Sequence, residues 1–213
     1  MLSISVCAQQ KDVTRFLGIP VDGSKSEMIR KLKAKGFESN PYDREVLTGE
    51  FNGTTVNVRV VTNNNKVCRI FVADAMPQSA GDIVIRFNRL CRQFENNGKY
   101  AYYDDFTIPD DEDVRYEMTV NNKRYEAIYY QIPADTAALR SGIRASVVKD
   151  YTEEQISELT DEQKNKLQEE AFELLAEVLS KRPVWFMIDE SYGEYSILMY
   201  YDNEYNRANG EDL

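Results

Sequence analysis

Hydrophobic positions in the first part of the chain recur at helical spacing between two clear end signals. Ser24 and Glu27 form a capping box just before an apolar stripe. Gly36 followed by Phe37 is typical of a left-handed helix stop with its hydrophobic contact. The sequence therefore predicts a helix over residues 25–35.

A change to alternating hydrophobic and polar positions follows this helix and predicts antiparallel strands. Residues 46–61 alternate on both sides of Asn52-Gly53, which is the strongest short hairpin signal. A third strand is expected over 67–73, and helical spacing returns over 79–97. The predicted order of this half is helix, three strands, helix.

The second half shows the same two kinds of pattern. Thr152 with Gln155 and Thr160 with Gln163 are two capping boxes, and the second could divide the long helical segment that begins at Glu153. The other predicted elements are strands over 116–120 and 125–132 joined by Asn121-Asn122, a short helix over 136–148, and a final hairpin of 184–188 and 195–201 turning through Gly193.

Helices and antiparallel hairpins grouped in this way predict an α+β protein. We expect two modules of antiparallel sheet, each with helices packed on one face, and the repeated hairpin leaves an internal duplication open. The predicted divisions are a signal-peptide remnant over 1–8, a first module over 9–103, an acidic connection over 104–113, a second module over 114–201 and a polar tail over 202–213.

The first eight residues resemble the end of a secretory signal peptide. Val6 and Ala8 place small residues at the −3 and −1 positions before Gln9. The segment is too short to direct export, so Met1 is expected to be an internal residue of a longer precursor. A frayed cytosolic terminus and a lipoprotein modified at Cys7 are the alternatives. The expected location is the periplasm or the cell surface.

Charge and hydropathy exclude several classes of partner. The chain carries a net charge of −10 with 26 basic and 36 acidic residues, and most of the excess lies in the second half. Binding to a phosphate backbone needs a basic face, so no nucleic-acid partner is predicted. No apolar run of about 18 residues follows the N-terminal segment, so no transmembrane segment is predicted.

Candidate chemistry is sparse because the chain has no histidine, the commonest general base and metal ligand. The segment from Gly18 to Ser26 nearly matches a phosphate-binding loop, but Ser24 separates the second glycine from Lys25. A calcium-like spacing after Asp202 has Arg207 where the loop needs glycine. We therefore predict no catalytic residue, no cofactor and no metal site.

Two cysteines would remain after cleavage, and both lie on predicted core faces. Cys68 alternates with apolar residues of a strand, and Cys91 lies on the apolar stripe of a helix. Buried free thiols are the favoured interpretation. A disulfide is the alternative that an exported protein would permit.

Aromatic side chains give the one positive indication of function. Most of the 14 tyrosines and the single tryptophan follow Tyr100, and rings with polar tips suit a wet binding surface. Trp185, Tyr192 and Tyr195 on the final hairpin are the candidate ligand-binding residues. The sequence thus favours an exported, non-catalytic binding protein for a glycan or a polypeptide. The alternative is a histidine-free hydrolase that uses paired carboxylates.

Four short segments resemble one kind of protein. They are residues 16–23, 28–37, 184–188 and 200–213. Together they resemble small exported proteins of gut Bacteroidota that lack an assigned activity. The resemblance implies export and assigns no role to any residue of this chain.

Export predicts that the protein recovered from its native host begins at Gln9, because cleavage would follow Ala8. N-terminal sequencing or intact mass measurement checks this. Recovery only from the cytosol with Met1 intact, and without a longer precursor encoded upstream, would contradict it.

Overall fold

The computed structural model describes residues 12–208, which form ten β-strands, six α-helices and a terminal 3₁₀-helix. The strands are β1 Arg15–Phe16, β2 Ile19–Pro20, β3 Glu38–Ser39, β4 Val46–Phe51, β5 Thr54–Asn63, β6 Lys66–Asp74, β7 Tyr100–Ala101, β8 Glu126–Gln131, β9 Pro183–Ser191 and β10 Glu194–Asp202. The helices are α1 Lys25–Lys33, α2 Ala80–Glu95, α3 Val114–Val120, α4 Thr136–Val147, α5 Glu153–Ser157, α6 Asp161–Ser180 and the 3₁₀-helix Glu204–Asn206.

Eight of the strands make one antiparallel sheet in the order β3-β4-β5-β6-β10-β9-β8-β7, and β1 pairs with β2 separately. The expected α+β class with helices packed against antiparallel strands is confirmed. The two halves share this sheet, because β6 of the first half pairs with β10 of the second, with Val72 opposite Met199. An isolated hairpin is only marginally stable, so β9 and β10 gain support by joining β6 and β8. An internal duplication is not shown.

Local sequence signals fix several elements as expected. The Ser24 hydroxyl accepts a hydrogen bond from the Glu27 amide at the start of α1. Asn52 and Gly53 adopt positive φ angles in the turn between β4 and β5. Capping boxes begin both α5 and α6, so the long helical segment is divided at Thr160, where the second box was identified.

The predicted strand over residues 116–120 is wrong, because these residues belong to α3. The Asp113 carboxylate caps this helix by accepting a hydrogen bond from the Tyr116 amide. Asp is a preferred N-cap because it satisfies an amide that the helix leaves free. This local bond outweighs the weak alternating pattern. The predicted second hairpin, whose likeness to the first suggested a duplication, therefore does not form.

Two segments expected to be solvated are partly packed. Ile108, within the acidic segment over 104–113, is buried, and the Asn88 side chain hydrogen-bonds both its amide and its carbonyl at 2.8 Å. Asp202 and Asn203, at the start of the expected polar tail, are also buried. The Asn203 side-chain amide donates to the Val21 carbonyl, which fastens this segment to the chain just after β2. Residues 209–213 lie outside the described residues.

The core lies between one face of the large sheet and the helices α1 and α2. Strand residues alternate between this face and the outer face, as in β10, where Tyr195, Ile197, Met199 and Tyr201 point into the core. Within residues 12–208, no helix combines the length and apolarity needed to cross a bilayer.

Cys68 and Cys91 are both buried and unbonded, which confirms their predicted placement on core faces. Burial raises the pKa of the Cys91 thiol to about 12, and it raises the pKa of Cys68 as well. Neither thiol is therefore a ready nucleophile.

A buried ion pair joins three elements at one end of the β6–β10 junction. The Arg86 guanidinium on α2 donates to both carboxylate oxygens of Asp74, at the end of β6. Asp74 also accepts from the Ile197 amide of β10 at 3.3 Å and from Gln78, while Arg86 donates to the Thr54 hydroxyl at 3.0 Å. This network fixes the position of α2 on the sheet.

Arg86→Ala should lower the free energy of unfolding by about 3–5 kcal/mol, because it leaves the Asp74 carboxylate buried without its counter-charge. Arg59→Ala is the matched control. It breaks an exposed pair with Asp43 and should cost less than about 1 kcal/mol. Urea denaturation measures both. Equal losses of unfolding free energy in the two variants would contradict the conclusion that the Asp74 and Arg86 pair stabilises the fold more than an exposed pair does.

Candidate functional site

The three residues predicted to bind a ligand do not converge. Tyr192 is fully exposed in the turn between β9 and β10, where it adopts a φ of +55°. Trp185 is half-buried on the outer face of the sheet. Tyr195 is only 2% exposed and points into the core, so its expected exposure is wrong. Strand alternation places Tyr195 on the face that α2 covers.

Trp185 belongs instead to a stacked cluster on the outer face. Its ring lies against Tyr200, with centroids 4.0 Å apart and planes inclined by 14°. The Arg69 guanidinium lies 4.8 Å from the Tyr200 ring centre and forms two hydrogen bonds with the Asp202 carboxylate. Asp202 also accepts from the Trp185 indole at 3.0 Å. These side chains largely satisfy one another, as in a structural cross-strand ladder.

A concavity lies on the opposite face of the sheet, which is the face that carries the core. It is a partly open cavity of about 990 Å³. Its walls come from the turn between β1 and β2, the end of β4, the C-terminal end of α2, β7, and the segment over residues 131–136 that follows β8. Met199 and Tyr201 of β10 reach it from the core face. We call this space the end cavity.

Aromatic and apolar side chains supply the apolar part of the end cavity. They include Phe51, Leu90, Phe94, Tyr100 and Tyr201. The Phe94 and Tyr100 rings meet edge to face with centroids 4.7 Å apart. Such rings are held by core packing on one side, so they give the cavity a rigid apolar surface.

Polar side chains complete the lining, and several of them hydrogen-bond one another. Four carry amides: Asn52, Gln93, Asn97 and Gln131. The Gln131 amide nitrogen donates to the Tyr100 hydroxyl at 3.2 Å, and Tyr201 also hydrogen-bonds Tyr100. Burial raises the pKa of Tyr201 well above its usual range and raises that of Tyr100 too. Both phenols therefore stay protonated near neutral pH and act as neutral hydrogen-bonding groups.

The charge of the lining is opposite to that of the protein. Arg15, Lys99 and Arg182 line the end cavity, and Glu50 is the only carboxylate among its described lining residues. The whole chain carries a net charge of −10. Basic groups thus outnumber acidic ones on the lining of the end cavity.

The turn between β1 and β2 borders the opening of the end cavity and is held in place by Gln131. Leu17 has a φ of +51° and Gly18 a φ of +79°, and this conformation is costly for leucine. The Gln131 side chain accepts from the Arg15 amide at 2.7 Å and donates to the Arg15 carbonyl at 2.8 Å. Gln131 therefore supplies the hydrogen bonds that a neighbouring strand would make with β1 on the side away from β2.

Sequence reasoning did not find this site, because its lining comes from segments far apart in the chain. Gly18 and Gly23 belong to the near match to a phosphate-binding loop, but Gly18 lies in the turn between β1 and β2 and Gly23 directly precedes the Ser24 cap of α1, both with positive φ. For Arg182 the sequence offered one signal, a basic side chain just after the C-cap Lys181 of α6, where a positive charge interacts favourably with the helix end. Its side chain is nevertheless buried rather than solvated.

No group of three or more cysteine, aspartate or glutamate side chains could share a metal ion within residues 12–208.

Comparison with protein-family models, curated proteins and solved structures returns no match to this chain.

Gln131→Leu should lower the free energy of unfolding by about 1–3 kcal/mol, because it leaves the Arg15 amide and carbonyl without their partners. Gln93→Leu is the control. Its exposed side-chain amide bonds Asn52 alone among the described residues, and water can replace that bond, so a change within about 0.5 kcal/mol is expected. Hydrogen exchange over residues 15–20 should accelerate only in Gln131→Leu. Unchanged exchange there would show that other contacts hold the turn.

Proposed function

We propose that this chain is a non-catalytic binding protein that holds a short glycan in the end cavity. The observation that carries the proposal is one concave space of about 990 Å³ that combines fixed aromatic rings with amide and phenol groups. Ligand sites are usually concave, largely apolar and roughly 300–1,000 Å³ in volume, with a few polar groups that orient the ligand.

A glycan fits this lining better than an extended polypeptide does. Sugars present hydroxyl groups and apolar ring faces, which match amide side chains and aromatic rings. An extended peptide commonly adds a strand to an open sheet edge. The edge strand beside the end cavity is β7, and it contains only Tyr100 and Ala101, so it offers few free backbone groups.

The alternative of a hydrolase with paired carboxylates receives less support from this site. Both glycosidase mechanisms need two carboxyl groups on either side of the scissile bond, at separations of roughly 5–10 Å. Glu50 is the single carboxylate among the described lining residues. Asp74 and Asp202, two of the buried carboxylates, are bound to arginines away from the end cavity.

Export belongs to the same proposal. It rests on the signal-like residues 1–8, which lie outside the described residues, and on the resemblance to exported proteins of gut Bacteroidota. An external or periplasmic binding protein would meet glycans directly.

A glycan array probed with the purified protein tests the proposal, with Gln93→Trp as the blocking variant. Gln93 is exposed on α2 at the edge of the end cavity, so an indole there should obstruct entry without disturbing the core. Binding should weaken by about tenfold or more, which corresponds to about 1.4 kcal/mol. Titration calorimetry on the glycans that bind gives the affinities.

Gln168→Trp provides the matched control, because Gln168 is exposed on α6 and does not line the end cavity. It should bind as the parent does. Circular dichroism must show that both variants remain folded. A parent that binds no glycan on the array, or a folded Gln93→Trp variant with unchanged affinity, would refute this placement of the function.

A further inference from the structure

The end cavity contains a buried cation whose hydrogen bonds are incomplete. The Arg182 side chain is only 2% exposed and lines the cavity. Its terminal nitrogens donate to the Asp12 carboxylate at 3.0 Å and to the Val13 carbonyl at 3.3 Å. Its Nε atom has no hydrogen-bond partner among the described residues. Burial lowers the pKa of Arg182, against the opposing influence of Asp12.

Among the described residues, Asp12 is the one carboxylate that pairs with Arg182, and it interacts with other groups too, although its Oδ1 atom accepts no hydrogen bond. Asp12 also accepts from the Ala134 amide at 3.0 Å, lies 4.0 Å from Arg15, and is about one-third exposed. A buried charge is costly unless it is fully paired. Arg182 is thus a buried guanidinium that a second anion would stabilise.

Two further cations lie on the same lining. Lys99 is exposed and takes part in no salt bridge found within residues 12–208, and the Arg15 side chain is about half exposed. Among the lining residues that the structure describes, Glu50 is the one carboxylate against these three cations. Clefts lined by one sign of charge focus the electrostatic field and raise the local concentration of oppositely charged ligands. An anionic ligand is therefore favoured here although the protein as a whole is acidic.

We infer that the glycan held in the end cavity is acidic and carries a carboxylate that interacts with Arg182 and Lys99. This inference rests on the proposed function and specifies its ligand. Guanidinium and ammonium groups bind carboxylates through charge-assisted hydrogen bonds, which are roughly twice as strong as neutral ones. The amides and phenols of the same lining would then orient the sugar hydroxyls.

Two matched ligands distinguish the effect of the carboxylate charge on affinity from the effect of the sugar's shape. Oligosaccharides that contain a hexuronic acid are compared by titration calorimetry with the same molecules carrying a methyl-esterified carboxylate. The ester keeps the ring and its hydroxyls and removes the charge. The acid should bind about tenfold more tightly or better, and only its affinity should fall as sodium chloride is raised.

Substitutions of single basic residues test which side chains of the protein interact with the ligand's carboxylate. Lys99→Gln should weaken binding of the acid about threefold to tenfold and leave the ester unchanged, because it removes one exposed cation. Lys35→Gln, an exposed lysine outside the lining, is the control and should change neither. Arg182→Gln should weaken the acid further. If that variant does not fold, Lys99→Gln and the ester comparison still decide the question.

The outcomes distinguish this inference from the function on which it rests. If the protein binds neutral glycans on the array as tightly as acidic ones, or if acid and ester bind equally, the inferred carboxylate is refuted and the proposed binding function survives. If acid binding does not respond to Lys99→Gln, the assigned position of the carboxylate is refuted. If no glycan binds, or only peptides bind, both the function and this inference fail.

Discussion

The Asp74 and Arg86 ion pair is the constraint on which the arrangement of the sheet and its main helix depends. It lies where the two halves of the chain meet, and its three hydrogen-bonding neighbours, Thr54, Gln78 and Ile197, come from β5, the residues after β6, and β10. A charged pair in the core has few alternative positions, because any other register would leave one charge buried alone. The pair therefore ties α2 and β10 to β6 more specifically than apolar packing could.

This placement of α2 has a consequence at the opposite end of the helix. Phe94, near its C-terminus, packs against Tyr100, Tyr129 and Phe186, and this aromatic group closes the core. The end cavity lies beside this group, because Phe94 and Tyr100 also belong to its lining. The cavity is thus bounded by rigid elements, which favours a preformed binding site.

The two polar clusters on either side of the sheet differ in how completely their groups are paired. On the outer face, Arg69 and Asp202 are matched to each other and to neighbouring rings, and the Asp202 hydrogen bond is the main cause that raises the pKa of Arg69. In the end cavity, Arg182 is more deeply buried yet retains a donor without an acceptor. Unsatisfied buried donors are rare in folded proteins, and this one supports the proposal that the end cavity accepts a ligand.

The sequence by itself determined the fold class, most helices of the chain, the hairpin at Asn52-Gly53 and the core positions of Cys68 and Cys91, because caps, turns and alternation depend on residues a few positions apart. It misjudged α3, where the Asp113 cap outweighed a weak alternating pattern. Only the tertiary structure decided that both halves share one sheet, that Tyr195 is buried while Trp185 stacks on Tyr200, and that Arg182 lines the end cavity. These features depend on contacts between residues far apart in the chain, and the spacing of residues along a sequence carries no direct record of which strands become neighbours.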